Sequence, residues 1–440
     1  MRLSVVGTGY LGATHAAAMA ELGHEVLGVD VDETKVARLN SGDVPFYEPE
    51  LPDLLRRNLD RGAVRFTTDL GEAAAFADLH FVCVGTPQRQ GEFAADLSYV
   101  DAAFTALADR IRPGATVVGK STVPVGTAAR LAPGIEAAGG TLVWNPEFLR
   151  EGFAVKDTLH PDRIVLGLKD GTHDTSTGRA AIEEAYTPIM TATQLPVVVT
   201  DYATAELVKV AANSFLATKI SFINAMAEVC EVTGADVTAL AEAIGHDARI
   251  GHRFLHAGLG FGGGCLPKDI RAFMARAGEL GVDQALTFLK HVDAINLRRR
   301  ARMVDLAREL CDGSLAGHRI AVLGVAFKPN SDDIRDSPAL DVAATVQRAG
   351  AAVRVYDPQA MPNARILSPT LAYEASAEAA CRGADVVLHL TEWSEFRELD
   401  PAELKAVVAT PRIVDGRNAL DAERWIGAGW QFRALGRPYR

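Results

Sequence analysis

The segment of this sequence best suited to chemistry is a glycine-rich stretch around Cys265. Residues 260–269 read GFGGGCLPKD, so glycines crowd one side of the thiol and Pro267-Lys268-Asp269 follows it as a helix start would. A thiol at a helix N-terminus beside a lysine is expected to have a lowered pKa and to be partly thiolate. The pattern therefore predicts a nucleophile at Cys265, with a structural cysteine in a glycine turn as the alternative.

The other four cysteines have no comparable surroundings. Cys83, Cys230, Cys311 and Cys381 lie in apolar stretches, which predict core positions. The sequence contains no CxxC pair and no histidine–cysteine cluster with the spacing of zinc ligands. We therefore expect no metal site and no disulfide. An apolar strand that begins close to Met1, with no signal peptide before it, favours a cytoplasmic location.

A dinucleotide-binding pattern opens the chain. Gly7, Gly9 and Gly12 form G-x-G-x-x-G after an apolar strand and before an alanine-rich helical stretch. This spacing fits a tight turn, a close approach to pyrophosphate and a helix N-terminus that offers N–H groups to phosphate. Asp30 ends the next predicted strand, where a carboxylate binds ribose hydroxyls and repels a 2′-phosphate. The pattern predicts NAD rather than NADP, with Lys35 either near the ribose or on the surface.

A hydride acceptor and a reactive thiol together define a particular chemistry. The dinucleotide can oxidise an alcohol to an aldehyde, and a thiolate can trap that aldehyde as a thiohemiacetal. A second hydride transfer gives a thioester, which water hydrolyses to the acid. Each step needs a proton acceptor and a group that stabilises negative charge on oxygen.

Several polar residues have spacings that could supply those groups. Glu147 and Glu151 are four apart in NPEFLREG and share a face if that stretch is helical, while Thr122 in KSTVPVGT can orient a water. Lys209 and Asn213 are four apart in an apolar helical pattern, where a cation and an amide can hold an alkoxide. A surface glutamate pair and a solvated lysine with a capping asparagine are the alternatives.

Two β/α segments must position these residues. The strands predicted in the first segment are Leu3–Val6, Glu25–Val29, Phe81–Val84 and Thr116–Val118. Those predicted in the second are Arg319–Val325, Val353–Tyr356 and Asp385–Leu390, with Ser337 and Pro338 opening a helix. The predicted fold class is α/β, with two Rossmann-like doubly wound parallel-sheet domains joined by a long-helix central region.

Long helical patterns fill the region between these segments. They cover 204–233 and 283–311, and we interpret the arginine-rich run 298–302 as a solvated helix face. The second β/α segment has only Gly324 after its first strand, so we expect no second dinucleotide there. Lys328 follows the same strand at its carboxyl end, where open α/β sheets bind ligands such as a phosphate or a sugar.

The composition is that of a globular protein and excludes some partners. The chain has 440 residues, 48 % of them hydrophobic and 23 % charged, with a formal net charge of −11. This acidic balance lacks the electrostatic footprint of a nucleic-acid-binding protein. No apolar run approaches the length that spans a bilayer. We therefore expect neither a nucleic acid nor a membrane as a partner.

The motifs also occur together in one known family. The matching pieces, in family order, are VVGTGYLG, FVCVGTP, KSTVPVGT, NPEFLREG, ELVKVAANSFLATKISFINAMAE, GFGGGCLPKD, GVAFKPNSDDIRDSP, LTEW and DGRNAL. They cover nearly the whole chain, which thereby resembles the UDP-glucose 6-dehydrogenase family, within the wider group of nucleotide-sugar dehydrogenases. The resemblance implies NAD-dependent four-electron oxidation of UDP-glucose to UDP-glucuronate, with two NADH per turnover.

The resemblance also implies roles for individual residues. The implied catalytic set is Cys265 as nucleophile, Lys209 and Asn213 for oxyanions, Asp269 beside the thiol, and Thr122 with Glu147 for water and protons. The implied NAD contacts are Gly7, Gly9, Gly12, Asp30, Lys35, Thr86, Thr122, Glu151 and Arg335. The implied substrate contacts are Glu147, Phe148, Lys209, Asn213, Arg249, Phe254, His256, Gly262, Lys328 and Arg417.

The resemblance further implies an assembly. Arg249 matches an arginine that the family donates from a partner subunit, so we expect a homodimer built on the long helices. The implied domains are 1–200 for NAD binding, 201–312 for dimerisation and the cysteine loop, and 313–440 for binding the nucleotide sugar. The chain departs from the family pattern in three places: Gly264 replaces a common serine, His256 replaces a lysine found in some relatives, and the residues between Pro87 and Asp96 form an idiosyncratic surface segment.

Three other functions remain open from the sequence. The same chemistry could act on another nucleotide sugar, such as a UDP-N-acetylhexosamine or GDP-mannose. A two-electron dehydrogenase of the 3-hydroxy-acid type would need no cysteine, and an NAD-sensing regulatory protein would need no catalytic set. The number of NADH formed per sugar separates the three classes of function: two for the acid-forming enzyme, one for the simple dehydrogenase and none for the sensor.

Overall fold

The computed structural model describes residues 1–173 and 176–438, which form two compact units. The first unit consists of Met1–Ala212 and Arg271–Gly281, and the second consists of Asn213–Ile270 and Val282–Arg440. The division into three domains at residues 200 and 312 stays a prediction.

An eight-stranded sheet forms the centre of the first unit. Its strands are β1 (Arg2–Val6), β2 (Glu25–Val29), β3 (Val64–Thr67), β4 (Leu79–Val82), β5 (Thr116–Gly119), β6 (Thr141–Trp144), β7 (Ile164–Leu168) and β8 (Val197–Asp201). Their order is β3-β2-β1-β4-β5-β6-β7-β8, with β6 and β7 antiparallel and the other described pairs parallel. The first six strands have the doubly wound order that binds ligands beyond the carboxyl ends of the strands.

Helices pack on this sheet. They are α1 (Tyr10–Glu21), α2 (Glu33–Asn40), α3 (Leu51–Asp60), α4 (Leu70–Phe76), α5 (Ser98–Ala108), α6 (Thr127–Ala137), α7 (Ala154–Leu159) and α8 (Thr177–Thr193), with a 3₁₀ turn at Gly171–His173. All four residues of β4 are buried, as expected of a parallel strand covered on both faces. The alanines in the middle of α1 are also buried, because small side chains let a helix approach a sheet closely.

A six-stranded parallel sheet forms the centre of the second unit. Its strands are β9 (Arg319–Leu323), β10 (Ala352–Tyr356), β11 (Ala372–Tyr373), β12 (Val386–His389), β13 (Arg412–Asp415) and β14 (Gln431–Ala434). Their order is β11-β10-β9-β12-β13-β14, which repeats the order of the first six strands of the other sheet. The predicted fold class, with two doubly wound sheets and a long-helix region, is therefore confirmed.

Long helices occupy the middle of the chain. The remaining helices are α9 (Tyr202–Thr233), α10 (Val237–Gly245), α11 (Leu266–Glu279), α12 (Thr287–Leu310), α13 (Pro338–Arg348), α14 (Met361–Leu367), α15 (Ala377–Cys381), α16 (Ser394–Glu398), α17 (Pro401–Lys405) and α18 (Ala422–Gly427). The predicted helix start before α13 is confirmed, because the Ser337 hydroxyl accepts the Leu340 N–H at 3.2 Å. Within the described ranges, even the longest helix lacks an apolar stretch that could cross a membrane.

The arginine-rich run on α12 is not a solvated face, so that expectation was wrong. Arg298 is exposed, but Arg299 is fully buried and its Nη2 lies 2.8 Å from Glu231 Oε1. Arg300 is also buried and pairs with Asp336 at 3.3 Å. A buried guanidinium needs carboxylates close by, and these come from α9 and from the loop before α13. The run alone could not reveal partners so distant in sequence.

The start of α6 depends on a buried carboxylate from α9. Glu206 is 2 % exposed, and its two oxygens accept the N–H groups of Gly126 and Ala128, both at 2.7 Å. These are N–H groups that an α-helix cannot satisfy within itself. Burial raises the pKa of Glu206 to about 7, even though these hydrogen bonds favour the charged form.

This burial predicts a pH dependence of stability. Since the ordinary glutamate pKa is 4.5, the folded protein binds the Glu206 proton more tightly than the unfolded chain. The resulting stabilisation is fully present below pH 4.5, the ordinary pKa. It is lost as the pH rises through the pKa of Glu206 in the folded protein, about 7. It amounts to at most about 3 kcal/mol at 1.36 kcal/mol for each pKa unit. Urea unfolding of wild type and Glu206→Gln, at about pH 5 and about pH 8, measures the difference.

We expect the unfolding free energy of wild type minus that of Glu206→Gln to be about 2–3 kcal/mol larger at about pH 5 than at about pH 8. Glu184→Gln removes an exposed glutamate from α8 and serves as the matched control. Parallel pH profiles for wild type and Glu206→Gln would contradict the argument.

Candidate functional site

The glycines of the first βα turn have distinct spatial requirements. Gly7 has a φ of +86° and donates its N–H to the Val29 carbonyl at 2.8 Å. A Cβ on Gly12 would lie 1.8 Å from the Gly7 oxygen, so only glycine lets α1 begin this close to β1. A Cβ on Gly9 would meet no atom within 4 Å, so the space above this turn is open. The turn thus has the tight geometry and the open approach that a pyrophosphate requires.

Asp30 follows β2 and holds this turn in place. Its Oδ2 accepts the N–H of Thr8 at 2.9 Å and lies 2.9 Å from Lys35 Nζ. Burial by itself would raise the pKa of Asp30, but the hydrogen bonds from Lys35 and from the backbone N–H groups of Asp32 and Thr8 lower it. Asp30 is therefore an ionised carboxylate beside the glycine turn, and Lys35 pairs with it.

Two predicted threonines meet at the carboxyl ends of neighbouring strands. Thr86 follows β4 and Thr122 follows β5, and the Thr86 hydroxyl donates to the Thr122 carbonyl at 2.9 Å. The carboxyl ends of parallel strands share one edge of the sheet, which explains how residues far apart in sequence come together.

Glu147 lies in a loop after β6 rather than on a helix. The argument that Glu147 and Glu151 share a helical face therefore does not apply, since residues 145–150 have no helical structure. One Glu147 oxygen accepts the N–H groups of Phe148 and Leu149 at 2.5 and 2.7 Å. Glu151 is buried in the turn that follows. Local backbone hydrogen bonds thus fix the Glu147 carboxylate.

A buried lysine also orients Glu147. Lys120 is 3 % exposed, and its Nζ lies 3.3 Å from Glu147 Oε2, 2.9 Å from Asn145 Oδ1 and 3.2 Å from the Tyr186 hydroxyl. Burial would lower the pKa of Lys120, but Tyr186 and Glu147 raise it above its ordinary value. A permanent cation therefore lies behind the Glu147 carboxylate. The sequence analysis missed Lys120, although a lysine at the end of an apolar strand was a usable signal.

Lys209 and Asn213 lie four residues apart on α9, as predicted. Lys209 is buried in the first unit, and its Nζ lies 5.4 Å from the centre of the Phe148 ring. Arg163 approaches the same ring at 3.9 Å. Phe148 thus has two cations against its ring, an arrangement stabilised by cation–π attraction.

Cys265 directly precedes α11 and is exposed. Its carbonyl accepts the Asp269 N–H at 2.9 Å, which makes Cys265 the N-cap of that helix. The Asp269 carboxylate is buried, accepts the Asn213 amide at 2.7 Å and lies 2.7 Å from Lys268 Nζ. The structure therefore brings Cys265, Asp269 and Asn213 together within the second unit.

The other cysteines are buried and unsuited to act as nucleophiles. Burial raises the pKa of Cys83 to about 12, of Cys381 to about 12 and of Cys311 to about 11, and it also raises the pKa of Cys230. The predicted core positions are confirmed for all four. Exposure thus distinguishes Cys265 from every other cysteine of the chain.

The cysteine loop is held against the loop that follows β9. Gly263 donates its N–H to the Arg335 carbonyl at 2.8 Å, and Gly264 donates to Asp333 Oδ2 at 3.3 Å. A Cβ on Gly264 would lie 2.3 Å from the Arg335 guanidinium carbon. The glycine that replaces the expected serine therefore leaves room for Arg335, which pairs with Asp333 at 2.7 Å.

Two buried asparagines fix the loop that runs from Phe254 to Gly262. Asn296 of α12 accepts the Phe261 N–H at 2.8 Å and donates to the Phe261 carbonyl at 2.9 Å. Asn224 of α9 accepts the Gly258 N–H at 2.9 Å. The sequence analysis missed both, although an asparagine within an apolar helical pattern indicates a polar partner in the core.

Arg417 joins three loops at the carboxyl edge of the second sheet. Its guanidinium donates to the carbonyls of Leu390 at 2.7 Å, Gly260 at 3.0 Å and Phe327 at 2.9 Å. Asp415 at the end of β13 accepts the Arg417 N–H at 2.9 Å and pairs with buried His389 at 2.8 Å. The Arg417 guanidinium therefore holds these three loops together.

The remaining predicted residues lie in loops of the second unit. Arg249 is exposed and pairs with Asp247 at 2.6 Å, and His256 is also exposed. Phe254 has a φ of +66°, which is unusual for a bulky residue. The Lys328 ammonium lies 5.2 Å from the Phe327 ring, so Lys328 is near the loops that Arg417 joins.

Comparisons with known proteins place the chain in a family. Residues 1–190 match the NAD binding domain of the UDP-glucose/GDP-mannose dehydrogenase family, 203–298 match its central domain and 321–422 match its UDP binding domain. The chain belongs to this family. It is an NAD-dependent oxidoreductase, and its UDP binding domain supports a nucleotide-sugar substrate.

Individual relatives are similar over their full length. A UDP-glucose 6-dehydrogenase of Rhizobium meliloti (strain 1021) is 43 % identical, with 100 % of both chains covered. The structure of a UDP-glucose dehydrogenase from the hyperthermophilic archaeon Pyrobaculum islandicum matches with a TM-score of 0.87 at 38 % identity, covering 99 % of this chain and 98 % of that one. A UDP-D-ManNAc dehydrogenase from Pyrococcus horikoshii matches with a TM-score of 0.83 at 27 % identity, covering 99 % of each chain. The family, the NAD cofactor and the enzyme class predicted from sequence are thus confirmed.

The glycine turn generates a matched pair of substitutions. Gly12→Ala forces a Cβ against a backbone oxygen, so we expect it to lower the unfolding free energy by about 2 kcal/mol or more. Gly9→Ala adds the same methyl group in open space at a φ of −69° and should leave stability within about 0.5 kcal/mol of wild type. Urea unfolding of both variants tests the difference. Equal stability of the two variants would contradict this argument, because it would mean that the turn accommodates a Cβ at residue 12 without cost.

Proposed function

We propose that this enzyme oxidises the C6 alcohol of UDP-glucose to the carboxylate of UDP-glucuronate, with Cys265 as covalent nucleophile and two NAD reduced per turnover. The observation that carries the proposal is the exposed Cys265 at the start of α11, beside the buried Asp269–Asn213 pair. The similarity to UDP-glucose 6-dehydrogenases over the full chain supports the choice of substrate.

The glycine turn fits the dinucleotide. The open space at Gly9 and the N–H groups at the start of α1 suit a pyrophosphate, and the Asp30 carboxylate suits ribose hydroxyls while repelling a 2′-phosphate. When bound, NAD supplies a hydride acceptor for each of the two oxidations. The residues proposed to contact NAD are Gly7, Gly9, Gly12, Asp30, Lys35, Thr86, Thr122, Glu151 and Arg335.

The residues of the chain would handle the thiol, the protons and the water. The Cys265 thiolate adds to the C6 aldehyde and gives a thiohemiacetal, whose alkoxide Lys209 and Asn213 stabilise. After the second oxidation, water attacks the Cys265 thioester and the thiolate leaves. Thr122 orients that water and Glu147, held by Lys120, accepts its proton.

The nucleotide sugar would contact the residues that the family resemblance implies. Asp269 assists at the thiol, and the loop from Phe254 to Gly262 is held rigidly enough by Asn224 and Asn296 to present its backbone to a ligand. The residues proposed to contact the substrate are Glu147, Phe148, Lys209, Asn213, Phe254, His256, Gly262, Lys328 and Arg417, with Arg249 from a neighbouring subunit. A cytoplasmic location stays a prediction.

Removal of the thiol gives the most direct prediction. Cys265→Ser should lower formation of UDP-glucuronate at least about 10³-fold, since a hydroxyl is a far weaker nucleophile than a thiolate at neutral pH. Affinity for NAD should stay within about twofold, because Cys265 lies outside the glycine turn. NADH absorbance with product analysis measures the first effect, and calorimetric NAD titration measures the second.

The matched control is Cys230→Ala, which removes a buried thiol from α9 and should keep most of the activity. Wild type should form two NADH for each UDP-glucose consumed. Normal acid formation by Cys265→Ser would exclude the covalent mechanism, and one NADH per sugar would identify a two-electron dehydrogenase.

The runner-up function is the same chemistry on a different nucleotide sugar. The structural similarity to the UDP-D-ManNAc dehydrogenase from Pyrococcus horikoshii keeps an N-acetylhexosamine open, although the identity is 27 % rather than 38 %. Rates with UDP-glucose, UDP-N-acetylhexosamines and GDP-mannose separate these substrates, because kcat/KM measures the discrimination directly.

We infer that the chain forms a homodimer through α9. Phe215, Phe222 and Val229 are exposed on this helix at intervals of seven residues, so they form one apolar stripe. Val232 extends the exposed apolar surface towards the end of the helix. Such a stripe is costly in water and is typical of a subunit interface.

A charge in this stripe should dissociate the dimer. Phe222→Lys places an ammonium where the apolar surface would be buried, so the mass measured by light scattering should fall to that of one chain. Ile366→Lys adds the same charge to an exposed residue of α14 and is the control. An unchanged mass for Phe222→Lys, or a wild type that is already monomeric, would contradict this interface.

A further inference from the structure

Two histidines and a glutamate converge at the end of α10, outside the residues assigned above. Glu242 lies on α10, His246 follows its last residue, and His252 comes from the next loop. One ligand atom from each lies within 4.8 Å of the other two, and all three residues are exposed to solvent. His246 and His252 are separated by five residues, a spacing that occurs among zinc ligands, but no cysteine pair accompanies them in the sequence. The fold adds Glu242 as a third ligand beside them.

Both imidazoles contact the Glu242 carboxylate, one at each oxygen, at distances close to those between the ligands of a tetrahedral metal ion. His246 Nε2 lies 3.2 Å from Glu242 Oε1, and His252 Nδ1 lies 3.5 Å from Glu242 Oε2. Zinc bonds to imidazole nitrogen and carboxylate oxygen are about 2.0–2.2 Å long, so adjacent ligand atoms of a tetrahedron are about 3.3–3.6 Å apart. Since one oxygen and the two nitrogens lie within 4.8 Å of one another, shifts of about 1 Å would bring the three donors to one ion.

The backbone around these three residues sets the positions of their side chains. Glu242 and His246 are four apart, so the helical spacing places them on one face. The His252 ring lies against Gly245, where a Cβ would be 2.3 Å from His252 Nδ1. The imidazole rings of His246 and His252 are nearly perpendicular, at 89° with centroids 4.9 Å apart. A side chain at residue 245 would push His252 away from the other two.

The loop that carries His252 is fixed at its other side. Lys219 of α9 donates to the carbonyls of Ile250 and Gly251 at 2.9 and 3.3 Å. The N–H groups of the same two residues donate to the Asp247 carbonyl at 2.8 and 2.9 Å. Arg249 lies in this turn, so any ion that joins the turn to α10 would restrict the position of its backbone.

We propose that Glu242, His246 and His252 bind a divalent transition metal of the zinc type, and that this ion fixes the loop carrying Arg249. Two imidazoles and one carboxylate form a ligand set that zinc, cobalt and nickel accept and that calcium and magnesium do not favour. The fourth position is open to water. The consequence for activity rests on the proposed function, which gives Arg249 a role at the substrate of a neighbouring subunit.

Cobalt is a suitable probe because tetrahedral Co²⁺ absorbs visible light. Chelator-treated full-length protein titrated with Co²⁺ should give one saturable absorption per chain, abolished by one equivalent of Zn²⁺. Glu242→Gln and His252→Ala should weaken this binding at least about tenfold, since the first replaces an anionic ligand by a weak neutral one and the second removes a ligand. All three ligands are exposed, so these variants should fold normally, which circular dichroism verifies.

Gly245→Ala is the sharper variant because it keeps all three ligands. Its methyl group displaces the His252 ring, so Co²⁺ binding should weaken at least about tenfold without loss of helix. His291→Ala removes an exposed histidine of α12 and should bind Co²⁺ as wild type does. No saturable Co²⁺ absorption in wild type, or the same binding in wild type and His252→Ala, would overturn the proposal.

The effect on catalysis is measured separately from metal binding. Zinc-loaded protein should have a lower KM for UDP-glucose than chelator-treated protein, with little change in kcat, and Gly245→Ala should abolish that difference. If Co²⁺ binds stoichiometrically while UDP-glucose is not oxidised, the metal site stands and the proposed function fails. If the metal binds without changing the KM, the role of the ion at Arg249 is excluded.

Discussion

Both sheets depend on the same interaction: a carboxylate after the second strand accepts N–H groups from the loop after the first strand. In the first unit Asp30 bonds to Thr8 at 2.9 Å, and in the second Asp357 bonds to Val325 and Ala326 at 2.7 and 2.9 Å. These loop N–H groups have no partner in the strand ladder, so a carboxylate of fixed position satisfies them and sets the shape of the loop. Asp30 keeps 8 % exposure beside the open turn, whereas Asp357 is fully enclosed and bonds to further N–H groups. The same interaction thus leaves the carboxylate beside open space in the first unit and encloses it completely in the second.

Buried polar side chains extend this principle to the other loops. Asn224, Asn296 and Arg417 bond to backbone groups of loops that carry candidate substrate contacts. Each bond fixes the backbone of a loop, so the entropy of ordering that loop is lost during folding rather than during binding. Lys120 does the same for the Glu147 carboxylate in the first unit. The loop that leads to the exposed Cys265 is held in the same way, because Gly263 and Gly264 donate to the Arg335 carbonyl and the Asp333 carboxylate.

The strands and helices followed from the sequence where one physical signal was strong. Continuous apolar runs predicted β1, β2, β4, β5, β9, β10 and β12 to within one or two residues, whereas the other described strands were missed. The absence of proline and internal glycine predicted α9. Prediction failed where the outcome depended on distant partners. The arginines of α12 are partly buried because carboxylates from α9 and from the loop before α13 reach them. Glu147 differs for a local reason, because its side chain accepts the N–H groups of Phe148 and Leu149 in a loop.

The sequence by itself determined the doubly wound architecture, the dinucleotide turn and the one cysteine with a glycine-rich approach. It could do so because these features are local: a strand's apolar pattern, three glycines and a helix start each act over a few residues. Only the tertiary structure decided that Asp269 meets Asn213, that Lys120 lies behind Glu147, and that two histidines join Glu242. The first two contacts link residues tens of positions apart, and the third depends on the loop that returns His252 to α10. Their geometry therefore depends on how helices, strands and loops pack.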